Sequence, residues 1–175
     1  MQIGHKAPHF DGIAVMPDGQ FKELSLADYA GKWLVFFFYP LDFTFICPTE
    51  VRGFSVAYEK FTAVGADLLG CSVDSQFAHL AWINDPELGK IKFPLLSDVT
   101  KKISRDYNVL IPEKGYSLRG TFIIDPEGIL KSIVVNDTAI GRSVDETVRT
   151  LRALQTGEMT GCGWEPGDPT LGREQ

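Results

Sequence analysis

The chain has 175 residues, 44% of them hydrophobic and 23% charged, with a formal net charge of −6. Such a length and composition suit one globular domain with a core of its own, and an acidic balance without any Lys/Arg run argues against a nucleic-acid footprint. The longest apolar stretch, about eight residues from Trp33 to Pro40, is too short for a bilayer, and the opening MQIGHKAPHFDG lacks an apolar signal core, so the expectation is a cytoplasmic protein with no membrane partner.

No repeat or Ser/Gly-rich linker divides the chain, which reads as a single domain over 1–175 with a C-terminal arm from about residue 157. The first thirty residues read as an irregular opening, with turn chemistry in MPDGQ and one short helix in SLADYAGK, capped by Ser25 and closed by Gly31. WLVFFFY is a continuous apolar run, as in a strand covered on both faces. PTEVRGFSVAYEKFTAVG then spaces Val51, Phe54, Tyr58 and Phe61 by three and four, predicting an amphipathic helix that ends at Gly65. DLLGCSVD is the next buried strand, with Cys71 inside it as a small hydrophobe, and SQFAHLAWIND a short helix with Phe77, Leu80, Ala81 and Asn84 on one side.

FPLLSD is a brief strand and TKKISRDYN a helix opened by Thr100. GTFIID and ILKSIVVN are strands joined by PEG, hence a hairpin, and SVDETVRTLRALQTG is a closing helix with Ser143 and Glu146 spaced for a capping box. The order β-α-β-α-β-α-β-β-α indicates an α/β domain whose mixed sheet is covered on both faces, with an antiparallel edge from the hairpin. In such sheets catalytic groups lie beyond the strand C-termini.

At that place stands YPLDFTFICPTE. Pro48 is comfortable at the first helical position and disfavours α geometry at Cys47, which is therefore placed at the N-cap or in the first turn. There the sulfur faces unsatisfied backbone N–H groups, with Thr49 and Glu50 as the expected donors, and these favour thiolate over thiol. Full ionisation of an ordinary cysteine raises its reactivity at most ~30-fold, because a few per cent is already ionised at neutral pH. A fast thiol enzyme also needs donors aimed at its substrate. Cys47, Cys71 and Cys162 form no C-x-x-C, which disfavours a zinc site and a dithiol oxidoreductase, and His5 and His79 lack any partner at metal spacing.

The stretch YPLDFTFICPTE resembles the active-site signature of the typical two-cysteine peroxiredoxins, a family that includes the catalytic subunit of alkyl hydroperoxide reductase. Pro40, Thr44 and Cys47 match its P-x-x-x-T-x-x-C pattern, and GCSVDSQFAHLAWIN, KIKFPLLSD and SLRGTFIIDPEG extend the likeness from Gly4 to about Gly167. The resemblance implies a thioredoxin-like fold and reduction of hydrogen peroxide or organic hydroperoxides without metal or bound cofactor. By the same resemblance Cys47 is the peroxidatic thiol, with Thr44 and Arg119 as its partners. Arg119 would stabilise charge on the sulfur and on the leaving oxygen, and the Thr44 hydroxyl can donate and accept. Pro40 would shield the sulfur from water, with Glu50 and Trp82 as supporting residues of the pocket.

A sulfenic acid at Cys47 must condense with another thiol before it oxidises further. The family supplies that thiol from the C-terminal region of a partner subunit, usually as V-C-P followed shortly by Trp. Here GEMTGCGWEPGDPT, set in register by Trp164, has Thr160 in the cysteine's usual place and the cysteine at 162. The expectation is an inter-subunit disulfide from Cys47 to Cys162 in a homodimer or larger assembly, restored by a thioredoxin-like or flavoprotein reductase. The alternatives are a one-cysteine cycle resolved by an external thiol and a non-catalytic holdase of the same fold. PELGKI in place of the family's G-G-L-G loop, with no Y-F after DPTLGREQ, implies tolerance of excess peroxide.

Overall fold

The computed structural model describes residues 1–173, which form two compact units, Met1–Arg142 and the segment from Ser143 onward. The first unit is built on a seven-stranded sheet. β1 (Asp11–Val15) and β2 (Phe21–Ser25) make an antiparallel hairpin in the part expected to be irregular, turning through the MPDGQ segment. Their strands are short and half exposed, so they carry little of the apolar alternation that marks a strand in sequence. Ser25 caps only a 3-10 turn, Leu26–Tyr29, with its partner carboxylate from Asp28.

The remaining strands are β3 (Trp33–Phe38), β4 (Ala66–Ser72), β5 (Leu95–Ser97), β8 (Arg119–Ile124) and β9 (Leu130–Asn136), separated before β8 by a small two-stranded ladder of β6 (Leu110–Ile111) and β7 (Tyr116–Ser117). The sheet order is β2-β1-β5-β4-β3-β8-β9. Pairings β3–β4 and β4–β5 are parallel, whereas β8 lies antiparallel to β3 and to the edge strand β9. The mixed α/β expectation and the β8–β9 hairpin hold.

The pleat of β3 splits its apolar run between two cores. Leu34, Phe36 and Phe38 point to one face, joined by Ile103 of α4 (Lys102–Asp106) and by Tyr107. Phe37 points to the other and stacks on Phe54 of α1 (Cys47–Val56) at 4.3 Å between centroids. The helix expected over 48–65 is interrupted: the backbone leaves the α region at Ala57 (φ −85°, ψ 4°), and α2 (Tyr58–Thr62) follows. Neither Gly nor Pro marks that break in the sequence.

Two other helices differ from expectation. In α3 (Gln76–Ile83) the buried residues are His79 and Trp82, while Phe77 is exposed, because His79 finds polar partners inside. Helix α4 is capped mainly by Asp98: Lys101 sits in the left-handed region (φ 62°), and the Asp98 carboxylate accepts from the amides of Ile103 and Ser104 at 3.0 and 2.7 Å, while the expected Thr100 accepts from the Lys102 amide at a longer 3.4 Å.

The second unit carries α5 (Val144–Gln155), whose N-terminus the Ser143 hydroxyl caps by accepting from the Glu146 amide at 3.2 Å. The reciprocal half of the capping box is not made, for the Glu146 carboxylate binds Arg149 at 2.6 and 2.7 Å. No helix among the described residues is long and apolar enough to cross a membrane.

Candidate active site

The end of β3 and the start of α1 fix the loop 39–46 at both ends. At its first residue the Tyr39 amide extends the ladder to the Cys71 carbonyl at 3.1 Å, and the Ser117 hydroxyl donates to the Tyr39 carbonyl at 3.0 Å. Further along, the Asp42 amide donates to Asp74 at 2.9 Å, and the Asp42 carboxylate meets the Tyr39 hydroxyl at 2.8 Å and His79 Nδ1 at 2.7 Å. His79 Nε2 faces the Leu96 carbonyl at 3.1 Å, an acceptor only, so Nε2 carries a hydrogen and one further proton lies between His79 and Asp42. Burial and the nearby Asp74 charge push the Asp42 carboxyl up, more than the His79 contact draws it down.

This anchored loop delivers Cys47 as the first residue of α1, and the side chain is fully buried. The expected amide donors do not serve it. The N–H groups of Thr49 and Glu50 donate to the Ile46 carbonyl at 3.0 and 3.2 Å, closing the first helical turn themselves. A side chain from far along the sequence donates to the sulfur instead, Arg119 through Nη1 at 3.4 Å.

Arg119 arrives there through sheet topology. It is the first residue of β8, which lies beside β3, and its Nε is fixed to the Thr138 carbonyl at 2.9 Å. Nη1 also donates to Glu50 Oε2 at 2.7 Å. Glu50, one helical turn after Cys47, is buried with both oxygens satisfied. Oε1 accepts from the Arg142 amide and Nε at 2.9 Å each, and Oε2 accepts from Arg142 Nη2 at 2.9 Å as well as from Arg119. Burial alone would push the Glu50 carboxyl up; the hydrogen bonds and charge of Arg142, with the charge of Arg119, outweigh it and hold the group below the usual carboxylate range. Two guanidinium groups against one carboxylate leave net positive charge beside the sulfur.

Arg142 was not among the expected site residues. Its guanidinium lies 5.1 Å from the Phe37 ring centre and donates to the carbonyls of Phe38 and Gly120 at 2.7 and 2.8 Å. One hint was available: a cation directly before a helix N-cap opposes the helix dipole, so its position calls for a partner elsewhere.

The Thr44 hydroxyl donates to the Leu41 carbonyl at 2.9 Å, which leaves its lone pairs open to a donor. Pro40 is buried, and Trp82 is buried with its ring 5.6 Å from that of Tyr39 and 6.2 Å from that of Phe43. Phe43, Thr44, Pro48, Arg52, Trp82 and Leu88 line a groove of about 440 Å³ on this side of the molecule. The structure thus sets Arg119 within hydrogen-bonding reach of both Cys47 and Glu50. Thr44 and Pro40 lie on the loop that leads into them, and Trp82 packs against that loop. Cys162 belongs to the second unit and is exposed, and Cys71 is buried in the sheet. Among the described residues no group of three or more acidic, His or Cys side chains could hold a metal.

A model of the AhpC/TSA family matches residues 3–133. Peroxiredoxin-4 of Homo sapiens is 53% identical over 178 residues, covering 97% of this chain, which spans only 65% of that longer protein. Peroxiredoxin-1 of Gallus gallus is 51% identical over 177 residues, covering 97% of this chain and 89% of its own length. Among solved structures, the reduced 2-Cys peroxiredoxin of Plasmodium vivax superposes with a TM-score of 0.94 at 43% identity, covering 97% of this chain and 92% of that one. The AhpC of Enterococcus faecalis does so with a TM-score of 0.84 at 39% identity, covering 88% and 92%.

Proposed function

Because this chain belongs to the AhpC/TSA family of peroxiredoxins, we propose that it reduces hydroperoxides through Cys47 and that Cys162 of a second copy completes the cycle. The observation that carries the first half is the 3.4 Å contact of Arg119 Nη1 with the Cys47 sulfur. The sulfur attacks one oxygen of the O–O bond; an S–O bond forms, the O–O bond breaks, and the distal oxygen leaves as water or an alcohol once protonated. Arg119 hydrogen-bonds charge on the attacking sulfur and on the departing oxygen, in a buried site where such donors act most strongly. Thr44, with its own hydrogen committed to Leu41, accepts the hydrogen of the incoming hydroperoxide. Glu50 and Arg142 keep Arg119 in place, and buried Pro40 limits water.

The second half follows from the product. The Cys47 sulfenic acid and the Cys162 thiol condense to a disulfide with loss of water, and a thioredoxin-type or flavoprotein reductase returns both thiols. Since Cys47 is fully buried and heads a helix, the first turn of α1 unwinds for this step. The same reading makes the working form at least a homodimer. A one-cysteine cycle, closed by an external thiol, is the second reading; the two-residue displacement of Cys162 from the family pattern is what favours it.

Cys47→Ser is expected to abolish peroxide consumption in a coupled assay while Cys71→Ser keeps it. Wild-type turnover by the Cys47 variant overturns the mechanism.

A further inference from the structure

Cys162 stands in a built loop. The Trp164 amide donates to the Gly161 carbonyl at 3.2 Å, enclosing Cys162 and Gly163 in a turn, and Gly163 has φ 69°, as the third residue of a type II turn requires. Cys162 is therefore the exposed corner of that turn. Below it the strands of the loop are joined, for the Met159 amide donates to the Gly172 carbonyl and the Leu171 amide to the Met159 carbonyl, each at 2.8 Å. Trp164 is the loop's buried plug, with its indole N–H on the Asp168 carbonyl at 3.1 Å. Thr160 is next to the clamped residue, near the loop's base, so a sulfur presented at the tip belongs at 162.

One side chain of α5 holds this loop. Arg149 Nη1 donates to the Trp164 carbonyl at 3.0 Å, while Nε and Nη2 pair with Glu146. The Glu146 carboxylate stabilises the charged form of this Arg149 guanidinium. No step of the peroxide half-reaction employs it.

We propose that Arg149 is the positioning residue of the resolving half-reaction: through the Trp164 carbonyl it locks the 159–172 loop, and with it the turn that carries Cys162, to α5. The inference rests on Cys162 being the resolving thiol. The chemistry is the condensation already balanced above, in which the S–O bond of Cys47 breaks, the S–S bond forms, and the hydroxyl leaves as water with the Cys162 proton. Arg149 touches no reacting atom in this account; it sets where one of them stands.

The test separates the two half-reactions in Arg149→Ala, in Arg149→Lys and in Cys162→Ser. After one equivalent of hydrogen peroxide, consumption of the peroxide reports the first step, and the inter-chain cross-link on a quenched non-reducing gel reports the second. Arg149→Ala is expected to consume peroxide within about twofold of wild type and to form the cross-link about tenfold more slowly, the scale of one lost hydrogen bond from a charged donor. Sulfinic acid at Cys47, read by mass, should rise accordingly, because the sulfenic acid waits longer. Arg149→Lys keeps the charge and helix propensity but cannot span Glu146 and Trp164 together, so it should be slowed less, and it decides the matter should the Ala variant lose helix content. Cross-linking at the wild-type rate in the folded variants overturns the positioning role. Cross-linking that persists in Cys162→Ser overturns instead the reading of Cys162 itself.

Discussion

Glu50 shows how one buried carboxylate organises the site. It accepts from two arginines that approach from different strands and loops, and without it both guanidinium groups would be buried with no counter-charge. Glu50→Gln is therefore expected to lower unfolding stability at pH 7 by about 3–5 kcal/mol, the range for breaking a buried ion pair. The pH dependence follows from the sign of the shift. Glu50 titrates lower in the folded chain than its unfolded value of about 4.3. Its contribution is thus complete above that value and is lost as pH falls through the lower folded one. Urea midpoints of wild type and variant, measured from neutral pH downwards, should converge in acid; equal midpoints at pH 7 would show that the pair does not stabilise the fold. The expected sulfur–Arg119 contact is present, whereas the expected amide donors are occupied, because a helix that begins at Cys47 closes its own first turn onto Ile46.

At the scale of elements, the site depends on how closely α1 approaches the sheet. Phe54 of α1 stacks on Phe37 of β3, and Phe37 in turn lies over Gly70 of β4, its register partner. A Cβ at Gly70 would stand 2.8 Å from Leu95 Cδ2 and 3.1 Å from Phe37 Cζ. Gly70→Ala is accordingly expected to destabilise the protein by about 1–3 kcal/mol through overpacking, read as a lower denaturation midpoint. An unchanged midpoint would mean that this layer has slack. The strands of this core were legible because each is a short apolar run between turn residues. The α3 stripe was misread because periodicity treats His79 as polar and outward, and only its partners Asp42 and Leu96, brought close by folding, make it an interior residue.

For the whole molecule, the proposed cycle needs a second chain. Wild-type protein treated with peroxide should run as a disulfide-linked dimer on a non-reducing gel, and Cys162→Ser should run as a monomer. A monomer alone from oxidised wild type favours resolution by an external thiol. Within the first unit, the seven-stranded sheet sets Arg119 beside a cysteine 72 residues away. In the second, a clamped turn gives the displaced cysteine an exposed corner.

By itself the amino-acid sequence determined what depends on neighbours along the chain: the apolar run of β3, the proline after Cys47, the signature that marks the thiol, and the hairpin of β8 and β9. Tertiary structure alone decided that Glu50 requires Arg142 as well as Arg119, that His79 belongs to the interior, and that an aspartate carboxylate caps the amides of α4. The reason is physical. Local patterns encode backbone conformation and burial, whereas a charge pair is chosen by which strands become neighbours, and that adjacency is a property of the folded sheet.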